Sequence, residues 1–260
     1  MKQNIKIKTE DGFLLDGEFV KVEDSKKGII FAHGMTVDRD DEGVFVRSAP
    51  KLNKLGFSTI RFDFRAHGKS FGNSIKDFTI SGELKDLEAV VKFMKEQGIN
   101  WLGLAGASFG GSIASLYVLD HPKDIKALFL ANPVLNYQKG FLNPTTLWAM
   151  KYFANAYEKL KKIGFIEIAN RKFKVGKRLF DEMKLYDPCA ALRSYKSPLL
   201  VVHGDRDSKV ALKDTKECFG LLPNKQKRME VIEGSEHGFH KEPYESQVVE
   251  MIVNFLVNIR

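Results

Sequence analysis

One serine stands in a sequence context that could make it a nucleophile. Ser108 lies in the pentapeptide Gly106-Ala-Ser-Phe-Gly110, directly after an apolar run and directly before a segment with helical composition. This order predicts a strand, a sharp turn and a helix, with the serine hydroxyl exposed at the turn. Glycine is expected at both flanks because a Cβ there would clash where strand and helix converge. A chance match is the competing interpretation, so the assignment depends on chemical partners elsewhere in the chain.

A carboxylate and a histidine follow two later predicted strands. Asp207 comes after the apolar run that ends at His203, and His237 comes after the run 227–232. Acyl transfer requires this set, because an imidazole must take the serine proton and a buried carboxylate must hold the imidazole in the right tautomer. The sequence therefore predicts that Ser108, Asp207 and His237 act together as catalytic residues.

Each of these two partners has a neighbour of the same type. Asp205 lies two residues before Asp207, but the spacing to Val210 favours Asp207, and we expect Asp205 to cap or brace the turn. His240 lies three residues after His237, and the glycines that flank His237 favour it because they suit a tight loop.

The other four histidines are expected in structural or surface positions: His33, His67, His121 and His203. His33 should shape the loop that follows its strand, and His203 should be buried with its ring nitrogens satisfied. No histidine spacing is typical of a zinc site, so no metal is predicted. The dinucleotide pattern G-x-G-x-x-G is absent as well, and no cofactor is expected.

Alternating apolar runs and helical patterns position these residues. The predicted strands are 5–9, 13–22, 28–33, 57–62, 100–105, 125–131, 197–203 and 227–232, and the predicted helices are 45–55, 81–97 with Ser81 as N-cap, 108–119, 211–221 and 244–259. This alternation is typical of an α/β fold with a mostly parallel central sheet and helices on both faces. In such sheets, ligand-binding and catalytic residues usually lie at the carboxyl ends of the strands.

The regular alternation breaks over residues 136–187. This stretch is basic and rich in aromatic residues, and it is too short for a comfortable core of its own. We therefore expect an inserted cap at 136–187 on a core formed by 1–135 and 188–260. Trp148 and Tyr152 are candidates for binding substrate from this cap.

Local patterns predict the elements of the cap. Residues 148–160 have helical periodicity, and 176–185 look helical again. Between them, two short apolar runs flank Ala169-Asn-Arg171, which predicts a hairpin.

Composition limits the class of protein. The 260 residues are 43% hydrophobic and 28% charged, as in a water-soluble α/β domain. No apolar run approaches the roughly 20 residues of a membrane span, and no signal peptide is recognised. Cys189 and Cys218 fit no metal motif, so we expect no disulfide scaffold and a cytoplasmic location.

The net charge of +8 could indicate a nucleic-acid partner. Residues 139–187 carry 11 Lys and Arg against five Asp and Glu, so most of the excess lies in the predicted cap. No nucleic-acid-binding motif accompanies it, and we interpret it as a solvated basic surface. The expected partner is a small molecule, and the chain could form a homodimer.

The motifs together resemble those of the α/β-hydrolase superfamily. They fall in family order as His33-Gly, Asp63-x-Arg-x-x-Gly-x-Ser70, Gly106-x-Ser-x-Gly110, His203-Gly-Asp-x-Asp-x-x-Val210 and Gly234-x-x-His237. Within the superfamily, the chain is similar to small bacterial carboxylesterases with a cap after the sixth core strand. These include cinnamoyl or feruloyl esterases and monoacylglycerol-lipase-like serine hydrolases.

The resemblance implies a role for each matched residue. Ser108 would be the nucleophile, His237 the general base and Asp207 the orienting carboxylate. The backbone N–H groups of Met35 and Phe109 would form the oxyanion hole, each worth roughly 3–4 kcal/mol in the transition state.

One position departs from the family pattern. The usual Arg-Gly-x-Gly turn is Arg65-Ala66-His67-Gly68 here. Alanine at 66 predicts a turn without positive φ at that residue.

These observations favour a serine carboxylesterase that works through an acyl-enzyme, on hydroxycinnamoyl or short-to-medium acyl esters. Thioesterase, lipase-like or peptidase activity on the same residues is the alternative within the enzyme class. A non-catalytic binding protein on the same fold, or a partner for anionic polymers or membranes, is a further alternative.

Overall fold

The computed structural model describes residues 2–168 and 172–259. The strands are β1 Lys2–Lys8, β2 Leu14–Val20, β3 Lys27–Ala32, β4 Ser58–Phe62, β5 Trp101–Ala107, β6 Ile125–Ala131, β7 Phe165–Ile168, β8 Phe173–Gly176, β9 Leu199–Gly204 and β10 Lys227–Ile232. The α-helices are α1 Gly43–Lys54, α2 Ile80–Glu96, α3 Ser108–Asp120, α4 Leu147–Phe153, α5 Ala156–Ile163, α6 Lys177–Glu182, α7 Pro188–Leu192, α8 Leu212–Leu221 and α9 Tyr244–Val257.

The main sheet within these residues has eight strands in the order β1-β2-β4-β3-β5-β6-β9-β10. The first two pairings, β1 with β2 and β2 with β4, are antiparallel. All the others are parallel. The expected mostly parallel α/β sheet is therefore confirmed, and the carboxyl ends of β3 to β6, β9 and β10 lie along one edge.

Helices cover both faces of this sheet, as the sequence predicts. One face packs against α1 and α9, through buried side chains such as Phe45, Leu52 and Ile252. The other packs against α2 and α3, through side chains such as Leu87 and Ile113. Every residue from 109 to 118 of α3 is buried, which is typical of a helix enclosed on all sides.

Residues 136–187, called here the inserted segment, lie between β6 and α7. It begins with a π-helical turn, Gln138–Leu142, and contains α4, α5, the antiparallel pair β7–β8 and α6. The predicted single helix over 148–160 is wrong, because two helices meet at Asn155, whose φ of +53° cannot continue an α-helix. The predicted hairpin turn at 169–171 lies outside the described residues.

The inserted segment is attached to the start of α2. Glu182 of α6 accepts hydrogen bonds from the backbone N–H and the hydroxyl of Ser81, at 2.8 Å each. Ser81 is therefore not the N-cap that the sequence predicts. Thr79 takes that position, with its hydroxyl oxygen accepting from Gly82 N at 3.0 Å. The helix begins at Ile80, and Thr79 and Ser81 are both residue types that cap helices, so the local pattern does not distinguish them.

The two cysteines are joined in a disulfide, with a Cα–Cα distance of 5.7 Å. Cys189 in α7 and Cys218 in α8 are 29 residues apart. Their spacing matches no motif, and only the tertiary fold brings them together. The expectation of a protein without disulfides is therefore corrected to one cross-link among the described residues.

Across residues 2–168 and 172–259, no helix combines the length and the apolar character needed to cross a membrane.

The turn after β4 corrects another expectation. Ala66 has a φ of +62°, in the left-handed region, although the alanine predicts the opposite. The turn is held by hydrogen bonds from Ala66 N to Phe71 O and from His67 N to Phe64 O. These hydrogen bonds within the turn outweigh the backbone preference of alanine, since positive φ costs an L-residue about 1 kcal/mol.

We predict that Ala66→Gly raises the free energy of unfolding by about 1 kcal/mol, because glycine adopts positive φ without steric cost. Chemical denaturation would measure the change. The matched control is Ala89→Gly inside α2, where glycine should lower stability by about 1 kcal/mol. A loss of stability in Ala66→Gly comparable to that control would contradict the assignment.

Candidate active site

Ser108 lies at the junction of β5 and α3, in a strained conformation. Its φ is +50°, in a region that non-glycine residues rarely adopt. Both flanking glycines are required sterically. A Cβ on Gly106 would lie 2.7 Å from Gly110 O, and a Cβ on Gly110 would lie 2.2 Å from His33 O. The strand–turn–helix geometry and the clashes expected from the sequence are therefore present.

A chain of hydrogen bonds links three predicted site residues. His237 Nε2 is 3.1 Å from Ser108 Oγ, and His237 Nδ1 is 2.6 Å from Asp207 Oδ2. The Asp207 side chain is fully buried, and the His237 side chain is only 12% exposed. Asp207 and His237 lie 99 and 129 positions after Ser108 in the sequence, and the fold brings them to it at the carboxyl edge of the sheet.

The turn after β9 fixes the Asp207 carboxylate. Lys209 N and Val210 N both donate to Oδ1, at 2.8 and 2.9 Å, which leaves Oδ2 for His237. Burial alone would raise the pKa of Asp207, but the charge and hydrogen bonds of His237 and His203 outweigh it and lower this pKa well below its usual value. The carboxylate therefore stays ionised.

His203 contacts this carboxylate from the end of β9. Its Nε2 lies 3.1 Å from Val210 O and 3.4 Å from Asp207 Oδ2. Its Nδ1 is buried and has no hydrogen-bond partner among the described residues. The expectation of a fully satisfied histidine is therefore wrong, because both of its close polar contacts lie on one side of the ring.

The two competing residues lie outside this chain of hydrogen bonds. Asp205 Oδ1 accepts from Gly234 N at 2.7 Å, so Asp205 braces the loop that carries His237. His240 is exposed, beyond the tight turn at Gly238. The loops after β9 and β10 pack closely, since a Cβ on Gly204 would lie 2.3 Å from Ser235 O.

The backbone near Ser108 offers two N–H groups. Phe109 N belongs to the first turn of α3, which has no acceptor within the helix. Met35 lies in the loop after β3, where its neighbours are fixed: Gly34 N donates to Glu42 Oε1 at 3.0 Å, and Thr36 N points to His67 Nε2 at 3.4 Å. Met35 lines the cavities beside Ser108.

Two buried histidines support the Met35 loop. His33 Nε2 accepts from Phe64 N at 3.0 Å, so its Nδ1, 2.8 Å from Gly34 O, carries the proton and donates. His67 Nδ1 is likewise 3.0 Å from Arg65 O. Burial lowers the pKa of His33, and burial together with His33 lowers the pKa of His67 to about 3. Both rings are therefore neutral, and the expected loop-shaping place of His33 agrees with these contacts.

A buried carboxyl lies beneath the same loop. Glu83 Oε2 has no hydrogen-bond partner among the described residues, and Oε1 is 3.8 Å from His67 Nδ1. Burial and the neighbouring Asp86 carboxylate raise the pKa of Glu83 well above its usual value, although Arg65 opposes them.

Two cavities of different character meet at Ser108. The first has mainly apolar walls that include Phe109, Leu135 and Phe141. The second has a more polar lining that includes Thr36 and Glu42. Both are lined by Ser108 and His237, so a reacting group held at the serine could extend into either cavity.

The two aromatic residues proposed from the inserted segment occupy different places. Trp148 lines both cavities. Tyr152 is buried behind it, with ring centroids 5.3 Å apart, and lines neither cavity. Sequence reasoning missed Lys139 and Asp214, which line the first cavity. The sequence analysis interprets the lysines of 139–187 as a solvated surface. No local pattern indicates that Lys139 pairs with Asp214, which lies 75 residues away.

This geometry defines a class of protein. A serine on a strained turn, hydrogen-bonded through a histidine to a buried carboxylate, is equipped for acyl transfer. With the eight-stranded, mostly parallel sheet, it identifies the chain as an α/β-hydrolase.

Residues 23–187 match the model of the family described as Serine aminopeptidase, S33, and the chain belongs to this family. The match includes Ser108 but ends before Asp207 and His237.

Curated relatives include a monoacylglycerol lipase from Mycolicibacterium smegmatis, which is 21% identical over 90% of this chain and 89% of that protein. Another is monoacylglycerol lipase abhd6-A from Xenopus laevis, 27% identical over 49% of this chain. The alignment covers only 35% of the Xenopus protein.

Solved structures have the same fold. Est1E from Butyrivibrio proteoclasticus, in a structure with bound ferulic acid, has a TM-score of 0.82 at 22% identity, over 98% of both chains. The Pyrococcus furiosus esterase Pf2001 has a TM-score of 0.75 at 26% identity, over 98% of this chain and 90% of that one.

We predict that Glu83→Gln stabilises the protein at high pH. A folded-state pKa above the unfolded value gives stability that is complete below the unfolded pKa and is lost as the pH rises through the folded one. Glutamine does not ionise, so the gain in free energy of unfolding should be small at pH 4 and grow toward pH 8.

Urea denaturation of wild type and variant between pH 4 and pH 8 measures this gain. The exposed Glu88→Gln on the same helix is the control, and an equal gain at all pH values would contradict the burial argument.

Proposed function

We propose that this protein is a serine carboxylesterase that uses Ser108, His237 and Asp207. The observation that carries the proposal is the hydrogen-bonded chain from Ser108 Oγ through His237 to Asp207, on a strained turn between two cavities.

In the proposed reaction, His237 Nε2 takes the proton of Ser108 as Oγ attacks the ester carbonyl carbon. The negative charge on the carbonyl oxygen is stabilised by the N–H groups of Met35 and Phe109, each by roughly 3 kcal/mol. His237 then gives its proton to the leaving alcohol, and an acyl-enzyme remains. Water, deprotonated by His237, then attacks the carbonyl carbon of this ester. The bond to Ser108 Oγ breaks, His237 returns the proton to Oγ, and the acid is released. Asp207 keeps His237 in the Nδ1–H tautomer and stabilises its charged form.

The two cavities suggest how an ester would lie. The apolar first cavity suits the acyl group, because burying hydrocarbon there is favourable. The polar second cavity suits the alcohol, whose hydroxyl groups need hydrogen-bond partners. An ester with an apolar acyl chain and a polar alcohol fits both.

The inserted segment at 136–187 would act as the cap that selects the substrate, on a core of 1–135 and 188–260. It supplies Phe141 and Trp148 to the acyl side. This aromatic lining favours short-to-medium acyl or hydroxycinnamoyl esters. The ferulic acid bound to Est1E and the names of the monoacylglycerol lipase relatives agree with an ester of this kind.

Thioesterase, lipase-like and peptidase activities on the same residues are the alternatives. An aminopeptidase, as the family description reads, needs a group that binds the substrate ammonium. Among the described residues that line the acyl cavity, the acidic one is Asp214, and it is already paired with Lys139. Because Asp214 is paired with Lys139, it is not available to bind a substrate ammonium group, which favours an ester substrate over a peptide with a free amino terminus. The strained backbone at Ser108 also favours a catalytic role over a non-catalytic one, because such strain is typical of active sites.

The cytoplasmic location and the homodimer expected from the sequence stay predictions. The Cys189–Cys218 disulfide argues against the first, since disulfides persist mainly in oxidising compartments.

We predict that the wild-type protein hydrolyses p-nitrophenyl acyl esters and methyl ferulate. Ser108→Ala should lower kcat/KM by roughly 10⁴-fold or more, because no other group can form the acyl-enzyme. Release of p-nitrophenol or ferulate measures the rate, and circular dichroism shows whether the variant folds. A folded Ser108→Ala variant with full activity would exclude the assigned nucleophile. A wild type inactive on every ester would direct the search to thioesters and amides.

A second prediction separates the two neighbouring aspartates. Asp207→Asn should lower kcat/KM by about 10³- to 10⁴-fold, since the amide no longer fixes the tautomer of His237. Asp205→Asn, the matched control two residues away, should keep activity within about threefold, because Asp205 only braces Gly234. Steady-state kinetics on one p-nitrophenyl ester decide between them, and the reverse ranking would make Asp205 the orienting residue.

A further inference from the structure

An ion-pair cluster connects the inserted segment to α8. Lys139, in the π-helical turn, donates from Nζ to Asp214 Oδ1 at 2.9 Å and to Glu217 Oε2 at 2.7 Å. The hydrogen bonds with Glu217 and Asp214 raise the pKa of Lys139 above its usual value, so the cluster stays charged. The Asp214 side chain is 14% exposed, so one end of the cluster is largely removed from water.

Residues of this cluster line two spaces, together with Leu135 and Asn136. On one side, Lys139 and Asp214 line the apolar cavity that contains Ser108. On the other side, the same two residues line a groove of about 1,030 Å³. That groove is also partly apolar, with Met183, Leu185 and Leu221 in its walls.

A hydrocarbon chain cannot replace the contacts within the cluster. An acyl chain that grew from Ser108 toward Asp214 would have to displace or desolvate charged groups, and buried charges without partners are costly. A short chain or one aromatic ring has apolar walls available in this cavity, which include Phe109, Leu135 and Phe141.

We propose that the cluster Lys139–Asp214–Glu217 is the end wall of the acyl pocket and sets the maximum acyl length, with Lys139 as the specificity-determining residue. The inference rests on the proposed esterase function. Removing the lysine side chain would join the cavity to the groove beyond it, and this continuous channel would take long, unbranched acyl chains.

The chain offers a matched control on the same carboxylate. Lys213 approaches Glu217 Oε1 at 3.9 Å from the outside, its side chain is 83% exposed, and it does not line the cavity. Lys213→Ala removes the same charge from the same glutamate but opens no channel.

The experiment is a chain-length profile of kcat/KM on p-nitrophenyl esters from acetate to dodecanoate. For Lys139→Ala we expect the ratio of kcat/KM on decanoate to kcat/KM on butyrate to rise about tenfold. Lys139→Arg should keep the wild-type ratio, since it preserves charge and length, and Lys213→Ala should keep it as well. Asp214→Ala, which opens the wall from its other side, serves as a second variant should Lys139→Ala fail to fold.

A folded Lys139→Ala or Asp214→Ala variant with the wild-type ratio overturns the inference alone. A rise in the ratio that Lys213→Ala reproduces also overturns it, because the effect would then come from charge and not from the wall. A wild type inactive on every ester overturns the proposed function, and the inference with it.

Discussion

The close approach of α3 to the ends of β3 and β5 is the constraint on which the site depends. Gly110 lies so near the backbone of His33 that a single added carbon would come within 2.2 Å of its carbonyl oxygen. This contact forces Ser108 into the left-handed region and places its hydroxyl above the sheet. It also positions Phe109 N in the first turn of α3, with Met35 in the adjacent loop. One steric condition therefore orders the nucleophile and both candidate oxyanion donors.

A second close approach positions the proton-transfer partners. Gly204, at the end of β9, allows the loop after β10 to lie against it, and Asp205 fixes that loop at Gly234. The turn that follows folds back so that two backbone N–H groups hold Asp207 Oδ1. The remaining oxygen is left for His237. The backbone N–H groups of Lys209 and Val210 therefore hold Asp207, and not Asp205, in the position that contacts His237.

The parts of the structure that depend on local sequence were predictable. The order of strands and helices and the elbow at Ser108 follow from apolar periodicity and from glycine positions. The spacing of Asp207 to Val210 and the glycines around His237 favour the two side chains that the structure brings to Ser108. The failures have two causes. The N-cap at Thr79, the turn at Ala66 and the contacts of His203 are local arrangements that residue type and periodicity do not specify. The disulfide depends on a contact between residues 29 positions apart. Local patterns carry no information about such contacts. The pairing of Lys139 with Asp214 was not predicted for the same reason, because the two residues are 75 positions apart.

This division follows the physics of the fold. Bond-making groups sit at the ends of parallel strands, where register and glycine packing leave little freedom, so their geometry is encoded locally. The walls of the pocket come from the inserted segment and its contacts with α8, where many side chains of different length and charge could pack equally well. Substrate selection can therefore change through a residue such as Lys139 without disturbing the hydrogen-bonded chain at Ser108. The same separation explains why this fold supports many substrates with one arrangement of reacting groups.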